Sequence, residues 1–347
     1  MLRKFFSSAM LVACYSISTA QDSTKGKLLI SGYVDVYYRY NLHNAKDTGA
    51  LNNFTSFTNS QNSFELGMAS VKLEHSFGKV GVVADLGFGK RAEEFSYNDA
   101  NTMLAIKQAY VTYAPSDKVK FTAGSWGTHV GYEVLDPYLN RNYSMSYMFS
   151  YGPFFHTGIK ADVTLGNFGF MLGVTNPSDL KHADFSKKFL IGQVSGGTTD
   201  GKLKAFLNYQ GGKFQDGTKV NQVDLAVTGT ISDHFSVGYN GTVQGVKPAS
   251  GKSESWWGSA LYLNYDPTAA FGLTLRGEYF DDKKAASGGH FGTNIFETTL
   301  SANFKVGGLI IIPEFRLDSA KDPLFTKNSG AGTKSTSTLL LAAIYHF

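Results

Sequence analysis

The chain ends Leu339-Leu340-Leu341-Ala342-Ala343-Ile344-Tyr345-His346-Phe347, and this stretch decides how the rest is read. Counting back in twos from Phe347 gives Tyr345, Ala343, Leu341 and Leu339, all apolar or aromatic. Successive side chains of a β-strand point to opposite faces, so these five share one face. No polar tail follows Phe347. Two kinds of structure end in this way: a soluble sandwich with a buried last strand, and a sheet whose outer face lies in lipid.

The other terminus bears on the choice. Met1-Leu2-Arg3-Lys4 is a short basic segment, the apolar stretch 5–14 follows, and Ser18-Thr19-Ala20 sets small residues where a signal peptidase cuts. We expect a signal peptide over residues 1–20 and a mature chain over 21–347. A second reading fits Leu11-Val12-Ala13-Cys14 to a lipobox, with Cys14 as a lipidated N-terminus. That would leave a very short signal and the site at Ala20 idle. Cys14 is the only cysteine, so residues 21–347 exclude disulfide scaffolds, thiol catalysis and Cys-ligated metals. An exported chain closing on an apolar strand with a terminal aromatic resembles bacterial outer-membrane β-barrels. That resemblance implies that the barrel assembly machinery reads the last strand, with Tyr345 and Phe347 as its signal.

Composition agrees. No apolar run approaches the ~18 residues of a membrane helix. Charged residues make up 17 % and aromatics 14 %, with 19 Tyr and 27 Phe, while Gly reaches 38 and Pro only 8. This suits a β-protein with one polar and one apolar face. The formal charge of +4 includes Arg3 and Lys4 and is too small to argue for a nucleic-acid or acidic partner.

Period-two runs recur near 29–40, 64–75, 80–89, 103–114, 119–126, 154–165, 168–175 and 188–195. Eight more follow near 202–210, 220–230, 235–245, 255–265, 271–280, 294–306, 309–318 and 336–347. These predict about sixteen strands, each near the ~9–11 residues a tilted membrane strand needs. Short connections (76–79, 115–118, 166–167, 196–201, 231–234, 266–270, 307–308) alternate with long ones such as 41–62, 90–101, 127–153 and 281–293. Strict alternation of short and long predicts one closed, all-β, antiparallel up-and-down barrel with both termini at the short-turn, periplasmic end. A Greek-key sandwich would not give it.

The predicted outer face is free of charge. It holds Val82/Ala84/Leu86/Phe88, Phe155/Thr157/Ile159/Ala161/Val163/Leu165, Phe168/Phe170/Leu172/Val174, Val223/Leu225/Val227, Phe271/Leu273/Leu275/Gly277/Tyr279 and Phe296/Thr298/Leu300/Ala302/Phe304. The interleaved positions hold Asp85, Lys160, Asp162, Asp224, Arg276, Glu278, Glu297, Asn303 and Lys305. Arg or Lys in lipid near mid-membrane costs about 2–4 kcal/mol, so a barrel must segregate its charges this way. Inward-pointing charges are therefore expected at Asp35, Arg39, Asp85, Lys120, Arg276, Glu278, Glu314 and Arg316. Aromatics cluster at strand ends in two girdles. Tyr113, Phe168, Phe235, Tyr265, Phe271 and Phe304 sit beside short turns, and Phe88, Tyr209, Trp257, Tyr279 and Phe296 beside long loops. Two places fit poorly. The apolar phase changes between Leu66/Met68 and Ala69/Val71/Leu73, which implies either a bulge or a strand boundary placed elsewhere, and Pro313 interrupts a strand, where a local bulge is also expected.

Three segments carry a resemblance: Gly127-Thr-His-Val-Gly-Tyr-Glu-Val134, Asn140-Arg-Asn-Tyr-Ser144 and Tyr151-Gly-Pro-Phe-Phe-His-Thr-Gly158. With Gly32-Tyr-Val-Asp-Val-Tyr-Tyr38 and Lys107-Gln-Ala-Tyr-Val111, they resemble the OmpL-like β-barrel porins of the porin-2 group. Met145 follows Asn-Tyr-Ser where a basic residue is the more usual. The resemblance implies an outer-membrane pore and names no substrate.

The longest connection, 127–153, carries Tyr132, Glu133, Tyr138, Arg141, Asn142 and Tyr143, and is expected to fold into the mouth as the constriction. Phosphate loops, Ser elbows and His-Glu-x-x-His are absent from the sequence, and no cofactor or metal is expected. His129 and His156 flank the long connection and can meet in space, as hydrogen-bonded groups in preference to metal ligands. Glu278 and Glu314 read as lumen ion pairs with Arg276 and Arg316. The leading function is a water-filled channel for small hydrophilic solutes, with outer-membrane lipids and further copies of the chain as partners. An adhesion or structural barrel with a plugged lumen is the first alternative. A lipase-like enzyme is the second; it needs a Ser/His pair on the outer face, and no outward position assigned holds a His beside a Ser.

Overall fold

The computed structural model describes residues 26–347 apart from residue 186; the expected signal peptide and Cys14 lie outside these residues. The first strands are β1 (Lys27–Asn41), β2 (Ser63–Phe77), β3 (Val80–Phe88), β4 (Ile106–Ser116) and β5 (Val119–Gly127). There follow β6 (Phe155–Leu165), β7 (Phe168–Thr175), β8 (Phe189–Gly197), β9 (Leu203–Lys213) and β10 (Lys219–Thr230). The second half holds β11 (Phe235–Lys247), β12 (Glu254–Thr268), β13 (Phe271–Asp281), β14 (Asn294–Val306) and β15 (Leu309–Ala320). Two short strands, β16 (Phe325–Thr326) and β17 (Gly332–Thr333), form a small hairpin in the last loop before β18 (Ser335–His346).

Sixteen strands, β1–β15 and β18, make one closed antiparallel barrel in which each pairs with its sequence neighbours. β1 and β18 zip it shut from Tyr33↔His346 to Asn41↔Thr338. Phe347 adds reciprocal backbone bonds to Gly32 at 3.0 and 3.1 Å. Closure is what lipid demands, because an open edge would leave backbone N–H and C=O groups unpaired there. No described helix is long and apolar enough to cross a membrane. The outward side chains Val82, Phe170, Leu172, Leu207 and Leu300 are exposed, while the interleaved Asp85, Asp224, Arg276 and Glu297 are buried. Rings pair along both rims, as Phe271–Phe304 at 5.0 Å and Trp257–Tyr279 at 5.3 Å.

Four expectations are corrected in detail. β4 begins at Ile106, because Asn101–Ala105 forms a 3-10 turn. Pro313 makes no bulge: Ser301↔Glu314 and Phe304↔Ile311 share one register, and only the bridges between them are lost, as expected of a residue without an N–H. Phe155 does not face lipid; it is fully buried against Phe95, ring centroids 5.1 Å apart. Alternation of short and long connections is not strict, since two links on the loop side, 214–218 and 248–253, are brief. The bulge near residue 67 is real. The ladder pairs Asp35 with Met68 and Val36 with Leu66, leaving Gly67 over. A side chain on Gly67 would strike the Asp35 carboxylate and the Tyr143 hydroxyl, so the bulge makes room for a loop to reach the wall.

Candidate pore constriction

Loop 128–154 leaves β5, enters the barrel and returns to β6. Carboxylates on the wall hold it by its backbone. Glu314 on β15 accepts from the N–H groups of Tyr143 (2.8 Å) and Ser144 (3.2 Å). Glu278 on β13 accepts from Tyr147 (2.7 Å) and Met148 (2.8 Å), at the start of the short helix Tyr147–Tyr151. On the adjoining stretch of wall, Asp224 on β10 accepts from Gly131 (3.0 Å) and Asn240 on β11 from Tyr132 (3.3 Å). The loop thus springs from β5 and β6 and is bonded along the facing arc of the wall, β10–β11 and β13–β15. Asp35 on β1 receives the Tyr143 hydroxyl and lies 3.9 Å from the Arg91 guanidinium.

The arginines serve the same attachment. Arg276 is fully buried; it bonds Glu133 of the loop at 2.6 Å, Glu297 at 2.9 Å and the Ser144 carbonyl at 2.7 Å. Arg316 bonds Asp318 at 2.9 Å and the carbonyl of Met145 at 2.7 Å. The expected pairs Glu278–Arg276 and Glu314–Arg316 are therefore not formed; both glutamates hold loop N–H groups instead. Residues two apart on a strand share a face yet need not touch, and the loop takes the space between them. Arg39 holds loop 42–62 through the carbonyls of Leu51 (3.0 Å), Asn52 (2.9 Å) and Ser60 (2.6 Å). Asp85 pairs with Lys107 at 3.1 Å, and Lys107 reaches loop residue Asp136 at 2.6 Å.

Of the six constriction candidates, Glu133, Asn142 and Tyr143 are buried and consumed in this attachment. Asn142 donates to Ser301 at 2.7 Å. Tyr132 stacks on Tyr262 at 4.2 Å, Tyr138 stacks on His346 at 5.0 Å, and Arg141 pairs with Asp266. The exposed side chains of the loop are Val134 and Leu139, which the sequence reading did not single out. Leu139, Tyr132, Asn140 and Arg141 border a cavity of about 290 Å³ against Phe206 and Asn264. A second cavity, about 540 Å³, lies toward the short-turn end among Lys27, Gln108, Tyr110, Lys120, Trp126 and Lys160. Lys120 is thus an exposed group of a wet vestibule, whereas the other seven expected lumen charges are buried.

Toward the long loops the interior is aromatic. Phe57, Phe95, Phe149, Phe154 and Phe155 form one buried cluster. Tyr147, Trp256 and Phe280 join Phe54, Phe291 and Phe325 in another. Each of the sixteen barrel strands carries at least one inward side chain that is buried, among them His156, Ile191, Asn208 and Thr299. Two histidines meet where the loop begins and ends: the rings of His129 and His156 lie 5.0 Å apart. His129 Nε2 contacts the Tyr209 carbonyl at 3.1 Å, and burial pushes its pKa down to about 4. In loop 176–188, Asp179 accepts from Phe154 N (2.7 Å) and Phe155 N (3.0 Å), and burial pushes it up to about 6. Arg91, Lys107 and Asp179 gave no periodic signal in the sequence, being in loops or beside a strand irregularity.

Comparison with known proteins places this geometry. The profile of the OmpL-like beta-barrel porin-2 family matches residues 27–347. The chain belongs to this family. The porin shares its fold with the outer membrane channel DcaP of Acinetobacter baumannii: TM-score 0.62, 13 % identity, 94 % of this chain and 99 % of that one. An anion-selective porin from Comamonas acidovorans superposes with TM-score 0.62 at 11 % identity, covering 93 % and 100 %. A loop-deletion mutant of OmpT, an outer membrane protein of Vibrio cholerae, gives 0.64 at 11 % identity, covering 93 % and 100 %. No curated relative matches the chain by sequence. The porin is an outer-membrane channel for small solutes.

Proposed function

We propose that loop 128–154 is the constriction of the channel and that its periplasmic approach favours small hydrophilic anions. One observation carries the first part: the loop springs from β5 and β6 and is bonded to β13 and β15 on the far side of the ring, so a solute must pass its exposed residues Val134 and Leu139. The second part rests on charge. Inward cations of the periplasmic half include Lys72, Lys160 and Arg141, each paired with an acid: Glu74 at 3.1 Å, Asp162 at 3.3 Å, and Asp266. Lys27, Lys120, Lys204 and Lys305 lie on the same inward parity, and no ion pair among the described residues engages them. A low-dielectric wall focuses such a field on the entering ion.

No catalytic step belongs to this reading. OmpT of Vibrio cholerae is described in a trimer form. Self-association, outer-membrane lipids and the assembly machinery, reading the exposed Tyr345 and Phe347, are the partners this barrel would meet. A second reading, a plugged barrel whose loops bind a partner, is favoured by the aromatic filling of the extracellular half. Planar-bilayer recording of the refolded protein separates the two. Channel activity is expected, with higher single-channel conductance in Val134→Gly/Leu139→Gly. Unchanged conductance in that variant removes the constriction role, and a silent wild type favours the plugged barrel.

A further inference from the structure

The outer surface of the barrel carries a row of lysines that nothing in the protein neutralises. In the β9–β10–β11 ladder Lys219 stands directly opposite Lys213 on one side and Lys247 on the other. Lys188 precedes β8 by one residue and continues the row, because Phe189 pairs with Gly212 and the same register sets Lys188 beside Lys213. All four are exposed. Their parity is that of the outward residues Tyr209, Val223 and Val243, while the alternating Gln210 and Gln222 are buried inward. The row therefore faces away from the pore, at the extracellular edge of the membrane-spanning band.

Like charges directly opposite each other destabilise a sheet, and no described acid offsets these. None of the ion pairs among the described residues includes Lys188, Lys213, Lys219 or Lys247. Asp216, in the link between β9 and β10, turns its carboxylate to Thr218 N (2.9 Å) and Thr218 Oγ1 (2.8 Å). The two links above Lys213, Lys219 and Lys247, 214–218 and 248–253, are the brief ones. Beneath the row the next outward rung is Gly211–Asn221–Gly245. Tyr209 leans over Gly211 and donates to Asn221 Oδ1 at 2.9 Å. That bond turns the Asn221 amide so that its NH₂ is left for an outside acceptor. Gly245 leaves open space beside it, a Cβ there meeting only the Asn221 carbonyl oxygen at 3.9 Å.

We infer that the Lys188–Lys213–Lys219–Lys247 row, with the Asn221 notch below it, binds the phosphorylated headgroup of a glycolipid in the outer leaflet. The chemistry asks for several negative charges on one ligand, spread across neighbouring strands and presented at headgroup depth. A phosphorylated lipid anchored beside the barrel supplies all of these, with its acyl chains against the apolar face formed by Val223, Leu225 and Val243. Strands β9–β11 would then gain stability from the lipid that surrounds them.

The test uses detergent-purified, folded protein and bisphosphorylated lipid A as probe, with binding read by native mass spectrometry. The comparison is with Lys213→Gln/Lys219→Gln/Lys247→Gln. Wild type is expected to retain the lipid and the triple variant to bind it about 100-fold more weakly, given the contribution of each lysine to anionic-lipid binding. Dephosphorylated lipid A should bind wild type no better than it binds the variant. Heat-modifiable gel mobility and single-channel conductance should match wild type, showing that the variant folds; should it fail to fold, the single Lys219→Gln and the charge-keeping Lys219→Arg make the same comparison. Equal lipid retention by wild type and variant would overturn the inference. So would competition by inorganic phosphate at the concentration of the lipid, which indicates a free-anion site. A variant that loses self-association while keeping the lipid would also overturn it, making the row an interface between copies.

Discussion

Above loop 128–154 the barrel interior is filled with interlocking rings; below it the same strands enclose an open cavity. On the long-loop side Phe149 packs on Phe154 at 5.6 Å and Trp256 on Phe280 at 5.3 Å. On the short-turn side Lys120, Gln108 and Tyr110 line an open vestibule. The strands themselves barely differ between the two levels. What differs is that loops 42–62, 128–154 and 282–293 bring their own apolar side chains into the upper half, where they exclude water and raise the strength of every charge pair at the boundary. The boundary is a layer of buried ion pairs and backbone-bonded carboxylates, and it separates a packed core from a conduit.

The largest effect should come from breaking that boundary. Arg276→Ala leaves Glu133 and Glu297 buried without their cation, a loss of about 3–5 kcal/mol. Loop 128–154 should detach, which limited proteolysis within 134–146 and a noisier, larger conductance would report. A barrel whose loop stays protected in that variant would show that the backbone bonds to Glu314 and Asp224 suffice. Next in size is the core itself. Phe149→Ala empties a site shared by Phe57 and Phe154 and should cost about 3 kcal/mol. The temperature of the heat-modifiable gel shift should fall while ion selectivity stays as it was.

A smaller effect follows acidification. His129 is held neutral in the docked loop, with a pKa near 4 against an ordinary 6.5, and it faces His156, Lys160 and Asp162. A depressed pKa means that the undocked loop takes up the proton first. Docking is therefore full above pH 6.5 and weakens as pH falls from there through about 4. Conductance fluctuations should increase between pH 7 and pH 4 in wild type and stay constant in His129→Gln. The smallest effect in stability, and the sharpest for the lower compartment, is Lys120→Glu. An exposed charge change should move stability by less than about 0.5 kcal/mol, yet shift the reversal potential in a salt gradient toward cations. No shift would remove the vestibule lysines from selectivity.

Much of the wall was legible because lipid imposes a period of two on every strand, and one misplaced charge per strand would be costly. The strand count and the change of phase near residue 67 were readable on that basis, and His129 and His156 meet because they flank one loop. Pro313 was misread because a missing donor was equated with an extra residue; the ladder tolerates the loss of one bridge without changing register. The loops carried no such constraint. The sequence places Glu133, Asn142 and Tyr143 in the long loop, with Asn and Tyr groups able to bond to the wall, but does not say which wall group each meets; the structure buries all three.

The sequence by itself determined the barrel: alternation, glycine-rich connections and charge-free outward positions admit only a closed sheet once one face is in lipid. Tertiary structure alone decided what each inward charge does. Tyr143 and Asp35 are 108 residues apart, and Tyr147 and Glu278 are 131 apart. Whether a glutamate meets an arginine two places along its strand or the backbone of a distant loop depends on which group fills the lumen first and excludes water. That is a property of packing, and no local period records it.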